Sequence, residues 1–419
     1  MPEATLPARV PAPAAGYPAA PTVEIGMRSG LEVLFDDVSR LRGLRVGVCC
    51  NHTAVDANLD HLLDRLAAAE IPVRRVFAPE HGLHATAQDM ISVGDEGPAV
   101  VSLYGDSAAS LRPDPALLAD LDIVLFDIQD IGSRYYTYQA TLGYLMEVAA
   151  TTGTRILVLD RPNPIDGVTI EGNLVQPGFE SFVSAYPLPV RHGLTMGELA
   201  LYFRDVLGIT AKVDVVRCEG WDATRRFDGT GLPWVFPSPN MPTLDTAVLY
   251  PGMCLIEGTN LSEGRGTTRP FHLVGAPWLD AAGFTRLCRQ GAIDNELEGV
   301  AFRPATFEPR FQKFAGRVCH GTEITVTDAD RLESFLLGLV VLEAALRASP
   351  AHFQWRTETY EFVDNPIAID LLCGSAEARV GLHSRVRPRD LVTGWKPELA
   401  QWEELRAEIL LYARDGVSL

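Results

Sequence analysis

The chain has 419 residues, enough for two or three domains, and its 47% hydrophobic and 21% charged residues are typical of a globular protein. The formal net charge of −18 argues against a protein that binds nucleic acid or anionic lipid, because both need a basic surface. No stretch is apolar and long enough to predict a transmembrane helix. These values exclude classes of partner but identify none.

Residues 1–22 are rich in Pro and Ala and lack the apolar run of a secretory signal, so we expect a disordered tail there. The seven cysteines are scattered, without the paired spacing of a metal site. Such a set is typical of buried thiols in a reducing compartment, and it predicts a cytoplasmic protein. The sequence leaves open whether the protein forms a homo-oligomer.

Predicted strands and helices alternate over the first part of the chain. Apolar runs that start at Leu44, Val73 and Ile123 predict buried strands, and residues 57–70 have the apolar spacing of a helix. This alternation predicts a Rossmann-like, mostly parallel sheet over residues 23–250. The sequence has neither GxGxxG after the first strand nor GxxxxGK[ST], so we predict that the protein uses no nucleotide and no other cofactor.

Four of the predicted strands end in polar residues. The four clusters are Asn51 and His52, Glu80 and His81, Asp127 and Asp130, and Asp160 and Arg161. Ligands of parallel sheets gather at the carboxyl ends of the strands, which meet at one edge, so we expect these clusters to converge on a site. Arg134 and Tyr135 follow the third cluster, and a Pro- and Gly-rich loop is expected to add His192.

A proline-rich segment that contains Asn240 predicts a domain border near residue 250. Residues 251–419 predict a smaller α+β domain. Its predicted elements are helices at 279–290 and 329–347 and strands at 299–303 and 322–327. The domain opens with a Gly-rich stretch whose polar residues are Glu257, Asn260, Glu263 and Arg265. Because glycines let a ligand approach the backbone closely, we expect this stretch to face the site.

Several motifs follow one another in the order NHTAVD, FAPEHGL, FDIQDIGSRYYTY, LDRPNP, RHGLTMGE, PSPNMPTLDTAVLYPG, EGTNLSEGRGTTRPF and YEF. From about residue 31 to the C-terminus, the sequence resembles the bacterial exo-β-N-acetylmuramidase family, formerly a domain-of-unknown-function family. The resemblance implies a Rossmann-like domain without a nucleotide and a smaller domain that closes over the cleft. It also implies a glycosidase that releases non-reducing terminal N-acetylmuramic acid from peptidoglycan fragments, with Glu80 as the catalytic glutamate. Many members are exported, which the sequence does not predict for this chain.

The polar residues agree with that chemistry, since a glycosidase usually uses one protonated and one ionised carboxyl group. We predict catalytic roles for Glu80, His81, Asp130 and Glu263. We predict substrate-binding roles for Asn51, His52, Asp127, Arg134, Tyr135, Arg161, His192, Asn240, Glu257, Asn260 and Arg265. The arginines of this set and Arg191 are suited to pair with the lactyl carboxylate of muramic acid. Which carboxyl group partners Glu80 stays open, as does the choice between retention and inversion.

Two other functions fit the same residues. A non-catalytic protein that binds sugar fragments would use the same cleft without turnover. A metal-dependent hydrolase would use His52, His81 and His84 as ligands, although no two of them have the helical spacing of a known metal motif, and we predict no metal site. The predicted partner is a small oligosaccharide, with no role for nucleic acid or a membrane.

Overall fold

The computed structural model describes residues 26–84 and 100–414. The predicted tail at 1–22 lies outside these residues. The first part of the chain forms a six-stranded parallel sheet with the strand order β3-β2-β1-β4-β5-β6, the doubly wound order of Rossmann-like folds. Its strands are β1 (Val46–Cys50), β2 (Val73–Ala78), β3 (Val100–Ser102), β4 (Ile123–Asp127), β5 (Arg155–Leu159) and β6 (Lys212–Val216). The Rossmann-like prediction is confirmed.

The central strands are mostly apolar because helices cover both faces of the sheet, as in other parallel sheets. Every residue of β1 and of β4 is buried. The helices of this first unit are α1 (Gly30–Leu34), α2 (Leu62–Ala68), α3 (Pro115–Ala119), α4 (Tyr138–Thr152) and α5 (Met196–Leu201). Helix α2 is shorter than the predicted helix at 57–70. It starts late because Leu59 adopts a left-handed φ of 68° and points into solvent, and His61 caps the helix instead.

Residues near the C-terminus of the chain bind side chains of the first unit. Thr195 and Glu198 form a capping box at the start of α5. The Glu198 carboxylate also binds Arg414, with Nη2 and Oε2 2.8 Å apart and both side chains buried. The Tyr412 hydroxyl donates a hydrogen bond of 2.5 Å to Asp160 at the end of β5. The segment around Tyr412 follows the second unit in the chain but packs beside the parallel sheet of the first.

The second unit contains an antiparallel sheet in the order β7-β9-β8 and the remaining helices, which confirms the predicted α+β class. The strands are β7 (Leu273–Ala276), β8 (Val300–Phe307) and β9 (Cys319–Val326). The helices are α6 (Leu244–Met253), α7 (Ala281–Asp294), α8 (Ser334–Ala348), α9 (Ala368–Cys373), α10 (Glu377–His383) and α11 (Pro388–Ala407). Strand β7 was not predicted, and α8 starts at residue 334 rather than 329. No helix in the described part of the chain is long and apolar enough to cross a membrane.

The predicted domain border near residue 250 falls inside α6, which continues to Met253. Helix α6 packs closely against α8 where two glycines, Gly252 and Gly338, face each other. A Cβ atom on Gly338 would meet the backbone of Gly252, so only glycine permits this approach. This close packing joins the two helices within the second unit.

Candidate active site

Glu80 lies at the wall of a narrow cavity between the two units, which we call the Glu80 cavity. Its volume is about 30 Å³, enough to hold a water molecule. Tyr136, Thr137, Ser238 and Asn240 line it from the first unit, and Glu257, Arg265, Tyr360 and Glu361 line it from the second. The Glu80 side chain is buried, and the Thr137 hydroxyl donates a hydrogen bond of 2.6 Å to its Oε2 atom. The cavity thus joins carboxyl groups from both units.

A tight turn after β2 fixes the position of Glu80. Pro79 ends the strand, and the Gly82 amide donates a hydrogen bond of 3.0 Å back to the Pro79 carbonyl. His81 and Gly82 both have positive φ, 73° and 82°. A left-handed conformation is uncommon for residues other than glycine, although histidine adopts it more readily than most, and such residues cluster at functional sites. The turn places Glu80 and His81 side by side on the cavity wall.

A larger cavity of about 580 Å³ adjoins the first and shares Glu257 and Arg265 with it. The other polar residues on its wall include Asn260, Glu263, Lys313 and Arg356, and two aromatic residues, Phe314 and Trp355, also contribute. The volume lies within the range of about 300–1,000 Å³ that ligand pockets occupy. The two shared residues, which we call the neck, therefore lie between a ligand-sized space and the Glu80 cavity.

The charges at this neck are paired with one another. The Arg265 Nη1 atom lies 2.7 Å from Glu257 Oε1 and 3.4 Å from Glu263 Oε1, and Lys313 Nζ lies 3.0 Å from Glu263 Oε2. Burial acts to raise the pKa of Glu263, but the charges of Lys313 and Arg265 outweigh it and hold that pKa below its ordinary value. Glu263 is therefore an ionised group of the larger cavity.

Comparison with known proteins gives the same family for both units. The family model of the exo-β-N-acetylmuramidase NamZ N-terminal region matches residues 46–245, and that of the NamZ C-terminal region matches residues 248–412. The chain belongs to the NamZ exo-β-N-acetylmuramidase family. It is 38% identical over 393 residues to the peptidoglycan β-N-acetylmuramidase NamZ of Bacillus subtilis strain 168, covering 92% of this chain and 91% of that protein.

Solved structures give the same result for the fold. Two DUF1343 family proteins from Bacteroides fragilis NCTC 9343 superimpose with TM-scores of 0.81 and 0.72. They are 32% and 27% identical to this chain. The matches cover 93% and 92% of this chain and 100% and 99% of theirs, so the whole NamZ architecture is shared.

In this NamZ family member, three of the four strand-end clusters lie outside both cavities. Arg161 and Asp127 form a buried pair with Nη2 and Oδ2 3.1 Å apart, and Arg161 also donates to the Val55 carbonyl. The Asn51 side chain donates to the Tyr138 hydroxyl at 3.0 Å and accepts from Thr53. Asp127 and Arg161 thus connect the ends of β4 and β5, and Asn51 joins the end of β1 to the start of α4. Their substrate-binding roles stay predictions.

Asp130 and His192 face each other in the interior of the first unit. His192 Nε2 lies 4.0 Å from Asp130 Oδ2, and that oxygen accepts a hydrogen bond of 2.6 Å from the Gly132 amide. Burial raises the pKa of Asp130 to about 7 and lowers the pKa of His192 to about 3. Both groups are therefore predominantly neutral near pH 6, and neither lines the Glu80 cavity.

Two arginines that were predicted to contact substrate are bound by protein groups in the structure. Arg134 is completely buried and donates to three carbonyl oxygens, those of Asn173, Leu188 and Leu372, at 2.6 to 2.8 Å. Burial lowers the pKa of Arg134 to about 10. Arg191 is bound in the same way, by Glu171 and other acceptors. Arg191 holds loops of the first unit together, whereas Arg134 also connects the first unit to the carbonyl of Leu372 in α9 of the second.

Other predicted residues do reach the cavities. Tyr135 and Asn240 line the Glu80 cavity, and the Tyr135 hydroxyl donates to the carbonyl of Pro251 in α6. Asn260 lines the larger cavity, where its side chain bonds the backbone of His352 and Gln354. The glycines of the same stretch have another role than predicted. A Cβ atom at 258, 264 or 266 would meet protein backbone, so these glycines allow packing within the protein.

Several residues at the cavities were not predicted. They are Thr137, Ser238, Tyr360 and Glu361 at the Glu80 cavity, and Lys313, Trp355 and Arg356 at the larger one. Thr137 and Glu361 lie within motifs that support the family resemblance. Motif membership was therefore the available signal, but a motif does not show which of its side chains faces a cavity.

The described histidines are not clustered with one another or with carboxylates in the manner of a metal site. His52 Nε2 lies 2.7 Å from the Phe236 carbonyl oxygen, and burial lowers the pKa of His52. Within residues 26–84 and 100–414, no group of three or more His, Cys, Asp or Glu side chains has the geometry to hold a metal ion. The described histidines thus give no support to a metal-dependent hydrolase.

Proposed function

We propose that this protein is a glycoside hydrolase that releases N-acetylmuramic acid from the non-reducing end of peptidoglycan fragments. The observation that carries the proposal is Glu80, buried at a cavity that also receives Glu257 and Glu361 from the second unit. Glycosidases need two carboxyl groups in one site. Membership of the NamZ family and the name of the Bacillus subtilis relative support the same substrate class.

We propose that Glu80 is the general acid and that the larger cavity receives the sugar. Trp355 and Phe314 offer aromatic surface to a sugar ring, and Asn260 offers an amide beside them. A sugar in this space would direct its glycosidic oxygen toward the neck at Glu257 and Arg265, beyond which Glu80 lies. The acid would then protonate the leaving oxygen.

The lactyl carboxylate distinguishes muramic acid from glucosamine. We propose that Arg265, Lys313 and Arg356, the three cations on the wall of the larger cavity, provide its binding site. Arg265 and Lys313 are already paired with glutamates, so their charge is oriented before the substrate arrives. Charge-assisted hydrogen bonds of this kind are stronger than neutral ones.

The predicted cytoplasmic location belongs to the same proposal. All seven cysteines are free and buried, which agrees with a reducing compartment. Fragments of peptidoglycan imported into the cell would then be the substrate. Fractionation of the producing cells, followed by immunodetection, tests this location, and recovery outside the cytoplasm would contradict it.

The experiment for the activity compares a chromogenic β-N-acetylmuraminide with the matching β-N-acetylglucosaminide, before and after exhaustive dialysis against EDTA. We expect rapid hydrolysis of the muraminide only, unchanged by EDTA. Binding of the muramic sugar without turnover would favour the non-catalytic alternative. Activity that EDTA abolishes and zinc restores would favour a metal-dependent hydrolase.

A further inference from the structure

Residues Tyr360 to Val363 form a two-residue hairpin. The backbone N–H groups of Tyr360 and Val363 each donate to the carbonyl of the other residue, both at 2.9 Å. The two central residues have positive φ, 46° at Glu361 and 66° at Phe362. Hairpins with two left-handed central residues strongly prefer Asn and Gly at these positions. A glutamate and a phenylalanine here are unfavourable for the local backbone.

The surrounding side chains hold this hairpin in place. The Tyr360 hydroxyl donates a hydrogen bond of 2.8 Å to Glu257 Oε2. The Phe362 ring lies 5.9 Å from the Tyr104 ring, centroid to centroid, and the Tyr104 hydroxyl donates to Glu361 Oε2 at 3.1 Å. The strained turn thus directs a buried carboxyl group into the Glu80 cavity. Strain of this kind persists at sites where function requires the position.

We propose that Glu361 is the second catalytic carboxyl group, ionised and facing the anomeric carbon of the sugar. This inference rests on the proposed glycosidase activity. The other candidates fit less well. Asp130 and Glu263 do not line the Glu80 cavity, and Glu257 is held by Arg265 and the Tyr360 hydroxyl. Glu257 is therefore a positioning residue that orients Tyr360 and, through it, the hairpin.

The two carboxyl groups divide the reaction between them. In this proposal Glu80 carries a proton and Glu361 carries the negative charge. Protonated Glu80 gives this proton to the glycosidic oxygen, and the C1–O bond breaks with its electron pair on that oxygen. Glu361 stabilises the positive charge that develops at C1. Water then adds its hydroxyl group to C1, and its remaining proton returns to the carboxyl pair, so one water is consumed.

The test compares Glu361→Gln and Glu361→Gly with Glu80→Gln on two substrates. One is the chromogenic muraminide, whose leaving group needs no acid, and the other is a disaccharide with terminal N-acetylmuramic acid. We expect Glu361→Gln to lower kcat about 10²–10⁴-fold on both substrates. We expect Glu80→Gln to lose far more activity on the disaccharide. Glu361→Gly relieves the left-handed backbone, so it should match or exceed the wild-type Tm and still be inactive.

Glu296 offers a matched control. It is an exposed glutamate with a left-handed φ of 52° in the turn after α7, outside both cavities. Glu296→Gln and Glu296→Gly should keep wild-type turnover on both substrates. A Glu361→Gln enzyme within a few fold of wild type would overturn the proposal, as would a loss confined to the disaccharide, which would make Glu361 the acid. A wild-type enzyme that hydrolyses neither substrate would refute the proposed function itself.

Discussion

Two regions at the same edge of the parallel sheet look alike in sequence but differ in structure. At the end of β2, Glu80 faces a cavity whose opposite wall belongs to the second unit. At the ends of β4 and β5, Asp127 and Arg161 pair with each other inside the first unit. The first region leaves space beside its carboxyl group, whereas the second fills that space with protein.

The difference shows that a polar strand end has two possible uses. A carboxylate with a buried guanidinium partner connects two strands, and its charge is already compensated. A carboxylate that meets another unit across a cavity can instead act on a molecule in that cavity. Charged residues at the strand ends show in the sequence where the carboxyl edge of the sheet lies. The contacts that each residue makes across this edge determine whether it can act on a ligand.

The largest expected effect is that of Glu80→Gln on turnover. The glutamine keeps the shape of the side chain and can still accept the Thr137 hydrogen bond, but it cannot donate a proton as an acid does. We expect kcat on the disaccharide to fall about 10²–10⁴-fold, with an unchanged thermal unfolding curve. Steady-state kinetics and calorimetry on one preparation measure both. Near-normal turnover would remove Glu80 from the mechanism.

Arg161→Ala should have the opposite profile. Removing the guanidinium leaves the buried Asp127 carboxylate without its partner, so we expect a loss of about 3–5 kcal/mol in the free energy of unfolding. The folded fraction should keep near-normal kcat. Urea unfolding and kinetics at low temperature measure the two quantities.

Arg155→Ala is the control for that variant, because it breaks an ion pair with Asp214 whose side chains are both more than half exposed. Such a pair contributes at most about 1 kcal/mol. If Arg161→Ala lost turnover while it remained stable, the predicted substrate-binding role of Arg161 would be supported and the comparison would fail.

The smallest expected effect is a change in pH dependence. In the folded protein Asp130 has a pKa of about 7 instead of 3.8, so it makes the protein less stable as pH rises through this interval. His192 has a pKa of about 3 instead of 6.5, so it makes the protein less stable as pH falls through that interval. The two effects oppose each other between about pH 4 and 6.5.

Asp130→Asn removes the first effect and leaves the second. We expect the unfolding free energy of the variant to rise with pH between about 4 and 6.5, more steeply than in the wild type by up to about 1.4 kcal/mol per pH unit. Urea titrations at a series of pH values measure this slope. Equal slopes for the two proteins would mean that Asp130 titrates near its ordinary pKa.

The sequence was sufficient to predict the parallel sheet, because buried strands and amphipathic helices have clear periodic patterns of apolar residues. The predicted site residues that lie at the Glu80 cavity are Glu80, His81, Tyr135, Asn240, Glu257 and Arg265. Their catalytic and binding roles stay predictions. Asp130, Arg134 and His192 lie elsewhere. The sequence alone does not show whether a buried polar side chain faces a cavity or is bound by other groups of the protein.

For Glu361, the only signal in the sequence was its place in the YEF motif, which does not show that its side chain faces a cavity. Its position depends on a strained hairpin and on contacts with Tyr104, which lies more than two hundred residues earlier. Strand β7 was missed for a related reason, because it has only four residues and pairs with the distant β9. Short elements fixed by long-range contacts carry little local signal.

The contacts of Tyr412 and Arg414 limit where the chain can be divided to build hybrid proteins. The two family models meet near residue 246, so a hybrid gene that combines the two regions from different family members would be joined there. A fragment ending at that cut would leave Asp160 and Glu198 without the hydroxyl and guanidinium that bind them. The hybrid most worth building therefore carries residues around 409–414 from the same parent as β5 and α5.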